Sequence, residues 1–523
     1  MKKQMSAVSS LQVTGIRDAG CLSACTARAI SGLAALLLIV AVSVSSSAKT
    51  SRKAPLNAGQ GPGVSGLRAV PTMSATATVQ AQTADSSQDI AARQAALVTE
   101  FDVNGLKVLV KRRAGSLTVS AGLFIRGGIR NITADNAGIE SLMLSASTEA
   151  STHFPRTRMR SELARTGTVI GSGVNYDYSA LTLATPRRDF DRSWEIFSDV
   201  ALNPSLTKED VTLVQSRLVA SLRDDTDDPD TYLQRLQERV AYVGHPYLNR
   251  AEGTADSVAR LTAQDLQNYH QKMMETSRLL LVIVGDLDAT QLKTRITAAF
   301  GKLPRGSYQA EPIPQLAFDK STVEVTTRVL PTNYVQGIFG APPLKSPDIY
   351  PMRIAAAMLA QRVLEEVRFR RNLSYAPDAF LRSQGANIGG IYVTAVDANQ
   401  AVQVMLYEIT RLQNGKTLKG GPDGPFEGPI DQDDIKASVA GYLTNYYLGQ
   451  ETNSAQAGDL AQAELIGGGW RNSVEYINRL RAVTPAEVQR VAQKYMRNIR
   501  FVVLGDPKKI NVNVFTGQTE GKF

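Results

Sequence analysis

The chain has 523 residues, 43% of them apolar, which is enough to bury large cores and too long for one ordinary domain. Its net charge of +9 is uneven: residues 1–93 hold nine Lys/Arg against Asp18, Asp85 and Asp89, so the other 430 residues carry only +3. A body that close to neutral lacks the basic footprint that phosphate-backbone binding needs, and nucleic acid is excluded as the expected partner.

Behind the basic head, residues 29–48, AISGLAALLLIVAVSVSSSA, run uncharged between Arg28 and Lys49. Apolar residues after positive charge, ending in the small residues Ser46, Ser47 and Ala48, read as an export signal. The stretch is also long enough to stay as a membrane anchor, and the Ser-rich, acid-poor start leaves a mitochondrial presequence as a third reading. Residues 1–48 are therefore expected to be a signal peptide or membrane anchor, and the location periplasmic or otherwise exported, with inner-membrane anchoring through 29–48 as the alternative. Cys21 and Cys25 both precede the apolar segment, so a cleaved chain would hold no cysteine, neither thiolate zinc ligand nor nucleophile. Residues 49–95, rich in Ser, Ala, Gln, Thr and Gly, read as a disordered tether.

The folded body begins with LVTEFDVNGLKVLVKRRAGSLTVSAGLFIRGG, residues 97–128. Alternation around Asn104-Gly105 predicts a hairpin, and Ser116 to Ile125 predicts a third strand. Helical patterning follows from about Gly138. Strands followed by helices, repeated, argue for layered α/β or α+β domains.

An internal repeat organises the rest. Thr262 to Asp286, TAQDLQNYHQKMMETSRLLLVIVGD, aligns with Thr484 to Asp506, TPAEVQRVAQKYMRNIRFVVLGD. Each copy starts with a Thr-x-x-Asp/Glu capping box, continues as an amphipathic helix and ends in a buried strand stopped by Gly-Asp. The body is expected to be two copies of one domain, residues 96–305 and 325–516, joined by a linker at 306–324 and followed by a tail at 517–523.

The stretches NGLKVLV (104–110), SAGLFIRGGIRN (120–131), NAGIESLMLSAS (136–147), GHPYLNRAEGT (244–254), SRLLLVIVGD (277–286) and EEVRFRRNLSY (365–375) occur in one order. In that order they resemble the M16 zinc peptidases, the family of pitrilysin, insulin-degrading enzyme and the mitochondrial processing peptidase. The resemblance covers the whole body. It implies an α+β fold of two tandem homologous M16-type (LuxS/MPP-like) domains, each a mainly antiparallel sheet packed with helices.

Active relatives carry His-x-x-Glu-His on a helix, where two His at i and i+4 bind zinc and the Glu activates the bound water. Laid on this chain, the His positions fall on Ser141 and Ser145, the Glu position on Leu144, and the third ligand near Leu222. The resemblance therefore implies a degenerate zinc site and no self-contained active site. His153, His245 and His270 offer no replacement: the first lacks an acid or His at ligand spacing, the second belongs to a turn, and the third lies on the repeat helix opposite Ala492. The acidic run at 224–230 reads as a solvated loop, and Gly467 to Gly469 as no phosphate cradle.

The family's other pair does fit. Active members use an Arg at a helix end and a Tyr seven residues later to hold substrate carbonyls and stabilise the oxyanion, and Arg368 and Tyr375 have that spacing. Asn372 stands where Gly is usual and suits a left-handed helix stop, after which Tyr375 is expected to enter a strand. Arg370 and Arg371 read as a solvated cationic helix end. The Gly/Pro-rich residues 418–434 read as an inserted surface loop before a helix starting between Asp431 and Asp434. The resemblance thus implies a non-catalytic, substrate-clamping subunit of a heterodimeric peptidase. This chain would bind no cofactor, the zinc would sit in an M16 partner, and peptides or unfolded segments would be the substrate. The alternative is an inactive scaffold like the core subunits of the bc1 complex.

Overall fold

The computed structural model describes residues 87–224, 227–420 and 426–517. The export segment and most of the tether fall outside these residues. Among them, no helix is long and apolar enough to cross a membrane.

The opening hairpin forms as its turn chemistry dictates. Strands β1 (Val98–Val103) and β2 (Leu106–Arg112) pair antiparallel across Asn104 and Gly105, whose φ angles of 52° and 89° match a tight hairpin turn. Strand β3 (Thr118–Arg126) follows, then β4 (Val169–Val174), β5 (Tyr178–Pro186) and β6 (Leu279–Gly285). They make a six-stranded sheet in the order β1-β2-β6-β3-β5-β4, antiparallel except for β2 against β6. A second sheet contains β7 (Thr322–Thr327), β8 (Asn333–Gly340), β9 (Asp378–Leu381), β10 (Ile388–Ala395) and, after the hairpin β11 (Lys416–Lys419) with β12 (Phe426–Pro429), β13 (Arg500–Gly505). Its order is β7-β13-β8-β10-β9, with only β7 and β13 parallel.

Removing β1 makes the two orders superimposable: β2, β6, β3, β5, β4 correspond to β7, β13, β8, β10, β9. The repeated helix precedes the same strand in each sheet. Both helices, Ala263–Met273 and Pro485–Tyr495, start with a reciprocal Thr capping box and end on a Met with nearly identical backbone angles.

The two copies are tied by exchanged helices. Along β6, Leu279, Leu281 and Ile283 enter the first domain's core, while Leu280, Val282 and Val284 pack under Ala457, Leu460 and Ala461 of the helix Asn453–Leu465 from the second domain. In return, Leu233, Leu236 and Val240 of the first domain's helix Pro229–Ala241 cover Val502 and Leu504 of β13, whose Phe501 and Val503 face the second core. A strand covered on both faces must be apolar at every position, which is why both repeats end in continuous runs rather than alternating ones. Asn453 fastens one exchange: its amide nitrogen donates to the Thr118 carbonyl at 2.7 Å, and Arg113 donates to its oxygen at 3.0 Å.

Several local readings take a defined form. Residues 306–318 of the linker run without helix or strand. In the acidic run, Asp228 caps the helix Pro229–Ala241 by accepting from the Thr231 amide at 2.8 Å. At the inserted stretch, β11 and β12 pair antiparallel, and Asp431 caps the helix Gln432–Gly449 in a capping box with Asp434.

Candidate functional site

The degenerate motif lies on the helix Ile139–Ser147, which starts at Gly138 with φ 91°, a conformation costly for any residue with a side chain. Residues Ser141 and Ser145 are four apart and share one half-buried face, where the Ser145 hydroxyl lies 3.4 Å from that of Ser172 on β4. Leu144 and Leu222 are buried in the same apolar cluster, contributed by this helix and the adjoining helix Lys208–Asp224. The donor set does not fit zinc. Two leucines offer no lone pair, and neutral serine hydroxyls are weak ligands beside imidazole or carboxylate. Among the described residues, no group of three or more His, Cys, Asp or Glu is placed to hold a metal.

Each histidine has a structural partner. His153 Nδ1 lies 2.7 Å from Asp199, an acid 46 residues away in sequence and invisible to a spacing argument. His245 Nε2 approaches the Pro314 carbonyl at 2.9 Å while its Nδ1 caps the turn at Tyr247. His270 Nε2 meets the Ala201 carbonyl at 2.8 Å, and burial lowers its pKa, favouring the neutral ring.

One residue before Ser141, Glu140 is buried with its carboxylate taking hydrogen bonds from Asn131 at 2.8 Å, Tyr269 at 2.7 Å and Ser179. Burial still pushes its pKa upward. This acid points away from the two serines into a hydrogen-bonded pocket of its own and supplies no substitute base. Sequence reasoning gave it no role; a charged residue inside an apolar helix pattern was its only signal.

The second half of the site sits where the helix Ile349–Val363 widens into a seven-residue π-helix, Leu364–Arg370. Such a segment leaves the α-helical ladder and commonly marks a functional position. Asn372, at φ 51°, ends it: its amide donates to the Arg368 carbonyl at 3.1 Å, and the Leu373 amide reaches back to the Val367 carbonyl at 2.8 Å. This fold-back brings Tyr375 under Arg368. The guanidinium carbon lies 4.0 Å from the Tyr375 ring centroid and 5.3 Å from that of Phe369, both rings being largely exposed. Among the described residues, neither the Arg368 guanidinium nor the Tyr375 hydroxyl has a hydrogen-bond or ion-pair partner, so five N–H donors and a phenol remain available to a ligand.

Two expectations are corrected here. Tyr375 does not enter a strand; it lies in a bend, and β9 starts three residues later, because the fold-back at Asn372 uses up the intervening chain. Nor are Arg370 and Arg371 simply solvated. Both pair with the buried carboxylate of Glu366, Arg370 at 3.1 Å, and Arg370 also lies 3.5 Å from Glu365. The structure therefore joins Arg368 to Tyr375 and places Leu144 and Leu222 in one core, while no hydrogen bond, ion pair or ring contact among the described residues links the two halves.

Fold and residues together define a two-domain, peptidase-like chain whose zinc-motif positions carry no metal ligands. Two family models match it: one described as insulinase (peptidase family M16) over residues 107–254, the other as peptidase M16 inactive domain over residues 260–418. The chain belongs to the peptidase M16 family. It is 22% identical over 383 residues to the non-peptidase homolog YmxG of Helicobacter pylori, covering 69% of this chain and 87% of that one. It is 23% identical over 454 residues to an uncharacterized zinc protease of Streptomyces coelicolor, covering 80% and 94%. A chain in the structure of Complex III2 from Candida albicans shares the fold, with a TM-score of 0.68 at 19% identity over 80% of this chain and 99% of that one.

Proposed function

We propose that this inactive M16 chain is the substrate-clamping subunit of a heterodimeric M16 zinc peptidase outside the cytoplasm, acting on peptides or unfolded segments. The observation that carries the reading is the Arg368–Tyr375 stack, a half-buried guanidinium over an exposed ring, without other polar partners among the described residues. A merely structural arginine would be expected to satisfy its guanidinium, as Arg370 and Arg371 do. Held against the ring, the guanidinium and phenol present donors to a carbonyl oxygen, which is what an oxyanion forming on a peptide needs. The metal and the water-activating acid would come from the partner, whose His-x-x-Glu-His supplies what Ser141, Leu144 and Ser145 do not. Export rests on the uncharged segment at 29–48.

The assembly is tested by co-expressing this chain with a zinc-motif M16 protein, expected to be encoded near it, and weighing the purified product. A one-to-one complex with one zinc, and no zinc on this chain alone, is expected. A stable homodimer that excludes the zinc chain would contradict it. The second reading, a scaffold, is favoured by the match in fold along 80% of this chain to a Complex III2 chain. A scaffold would assemble with other proteins yet be indifferent to the clamp residues.

A further inference from the structure

The sequence places acids five residues ahead of arginines, Glu365 before Arg370 and Glu366 before Arg371. In an α-helix, residues five apart do not stack; in a π-helix, with its i to i+5 ladder, they do. The segment Leu364–Arg370 is π-helical, and both i to i+5 pairs are formed. Glu366 is the centre of this arrangement. It is 2% exposed, it reaches Arg370 and Arg371 together, and Arg371 also donates to the Glu366 carbonyl at 3.3 Å. Its Oε1 lies 3.1 Å from Arg370 without hydrogen-bond alignment, so charge rather than directed bonding holds that contact.

Between these anchors lie Val367, wholly buried, and then Arg368 and Phe369, which the wider turn carries outward. An α-helical turn over the same residues would rotate Arg368 by part of a turn and take it off the Tyr375 ring. We infer that Glu366 is the positioning residue of the Arg368–Tyr375 pair: its buried carboxylate, pairing with Arg370 and Arg371, holds the π-helical turn that sets the guanidinium over the ring. This deepens the clamp reading and rests on it for its meaning in catalysis, but the geometry it concerns can be measured in this chain alone. Glu366 touches no substrate in this account; it acts through the turn.

The experiment places 3-fluorotyrosine at position 375 of the full chain and records the fluorine resonance. The reference for a lost stack is the resonance in Arg368→Ala. Glu366→Gln, which keeps shape and removes charge, is expected to shift the resonance toward that of Arg368→Ala by at least half the difference while circular dichroism stays that of the folded chain. The remote control Glu162→Gln, which removes the partner of Arg165 and Arg192, is expected to leave it unmoved. If Glu366→Gln does not fold, the double variant Arg370→Gln/Arg371→Gln removes the same pairs from their exposed side, with the same expected shift. A folded variant of either kind with the wild-type resonance overturns the inference. Because no cleavage is read, failure of the two-chain function and failure of the positioning give different results.

Discussion

Arg368 and Tyr375 contribute different groups to the proposed clamp. Tyr375→Phe keeps the ring under the guanidinium and removes one donor, whereas Arg368→Ala removes the positive charge as well. In the two-chain peptidase proposed above, cleavage is expected to fall at least about tenfold in each, the scale of one lost oxyanion contact. A neighbouring acid offers a test on this chain alone. Burial pushes the Glu408 carboxyl from its ordinary 4.5 up to about 7, beside Arg411, Glu366, Arg362 and Arg371. A carboxyl raised on folding contributes stability that is fully present below about pH 4.5 and is lost as pH rises through about 7. Urea titrations between these limits should therefore show wild type losing stability with rising pH relative to Glu408→Gln; parallel curves would contradict this. The clamp pair was legible because seven-residue spacing survives translation into sequence. The bonds of Glu366 were not, because Glu366 and Arg370 are also four apart and read equally well as an exposed α-helical pair. The partner of His153 was hidden for a related reason, since contact with Asp199 is made by the fold rather than by spacing.

The fold-back at Asn372 brings Tyr375 against Arg368, and it requires a left-handed residue. Asn372→Val should cost ~1–2 kcal/mol, since a branched side chain at φ 51° is strained, while Asn372→Gly should be close to neutral; urea unfolding of the two variants measures the difference. The exchanged helices carry a heavier load. Leu460, 2% exposed against the outer face of β6, should cost ~2–5 kcal/mol when cut to alanine, as large-to-small changes in packed cores do. The repeated helix and strand were readable because capping boxes and continuous apolar runs are local signals. The exchange itself was not, since an amphipathic helix records that one face is buried and not which sheet buries it. The uninterrupted run in β6 did say that both faces were covered, and that hint pointed to a cover the chain had to supply from elsewhere.

Two copies of one domain, each roofed by a helix from the other, make the chain a unit in which clamp and degenerate motif belong to opposite halves. In an M16 chain whose motif positions are serine and leucine, one half lacks the zinc ligands and the other carries the Arg368–Tyr375 pair proposed to act on a carbonyl oxygen. The duplication explains how this can arise without loss of fold: Leu144 and Leu222 now fill the core, while the exchanged helices and the second sheet are untouched by the substitutions. Restoring Ser141→His, Leu144→Glu and Ser145→His together is expected to leave this chain without peptidase activity, because Leu222 still denies the metal its third protein ligand; peptide hydrolysis by the isolated triple variant would contradict that. The most direct measurement is peptide cleavage by this chain together with the proposed zinc-bearing partner, comparing wild type with Arg368→Ala. Cleavage that requires both chains and falls at least about tenfold in the variant is the predicted result. Cleavage by the zinc chain alone, unchanged when the wild type or the variant is added, would contradict the account and leave this protein a scaffold.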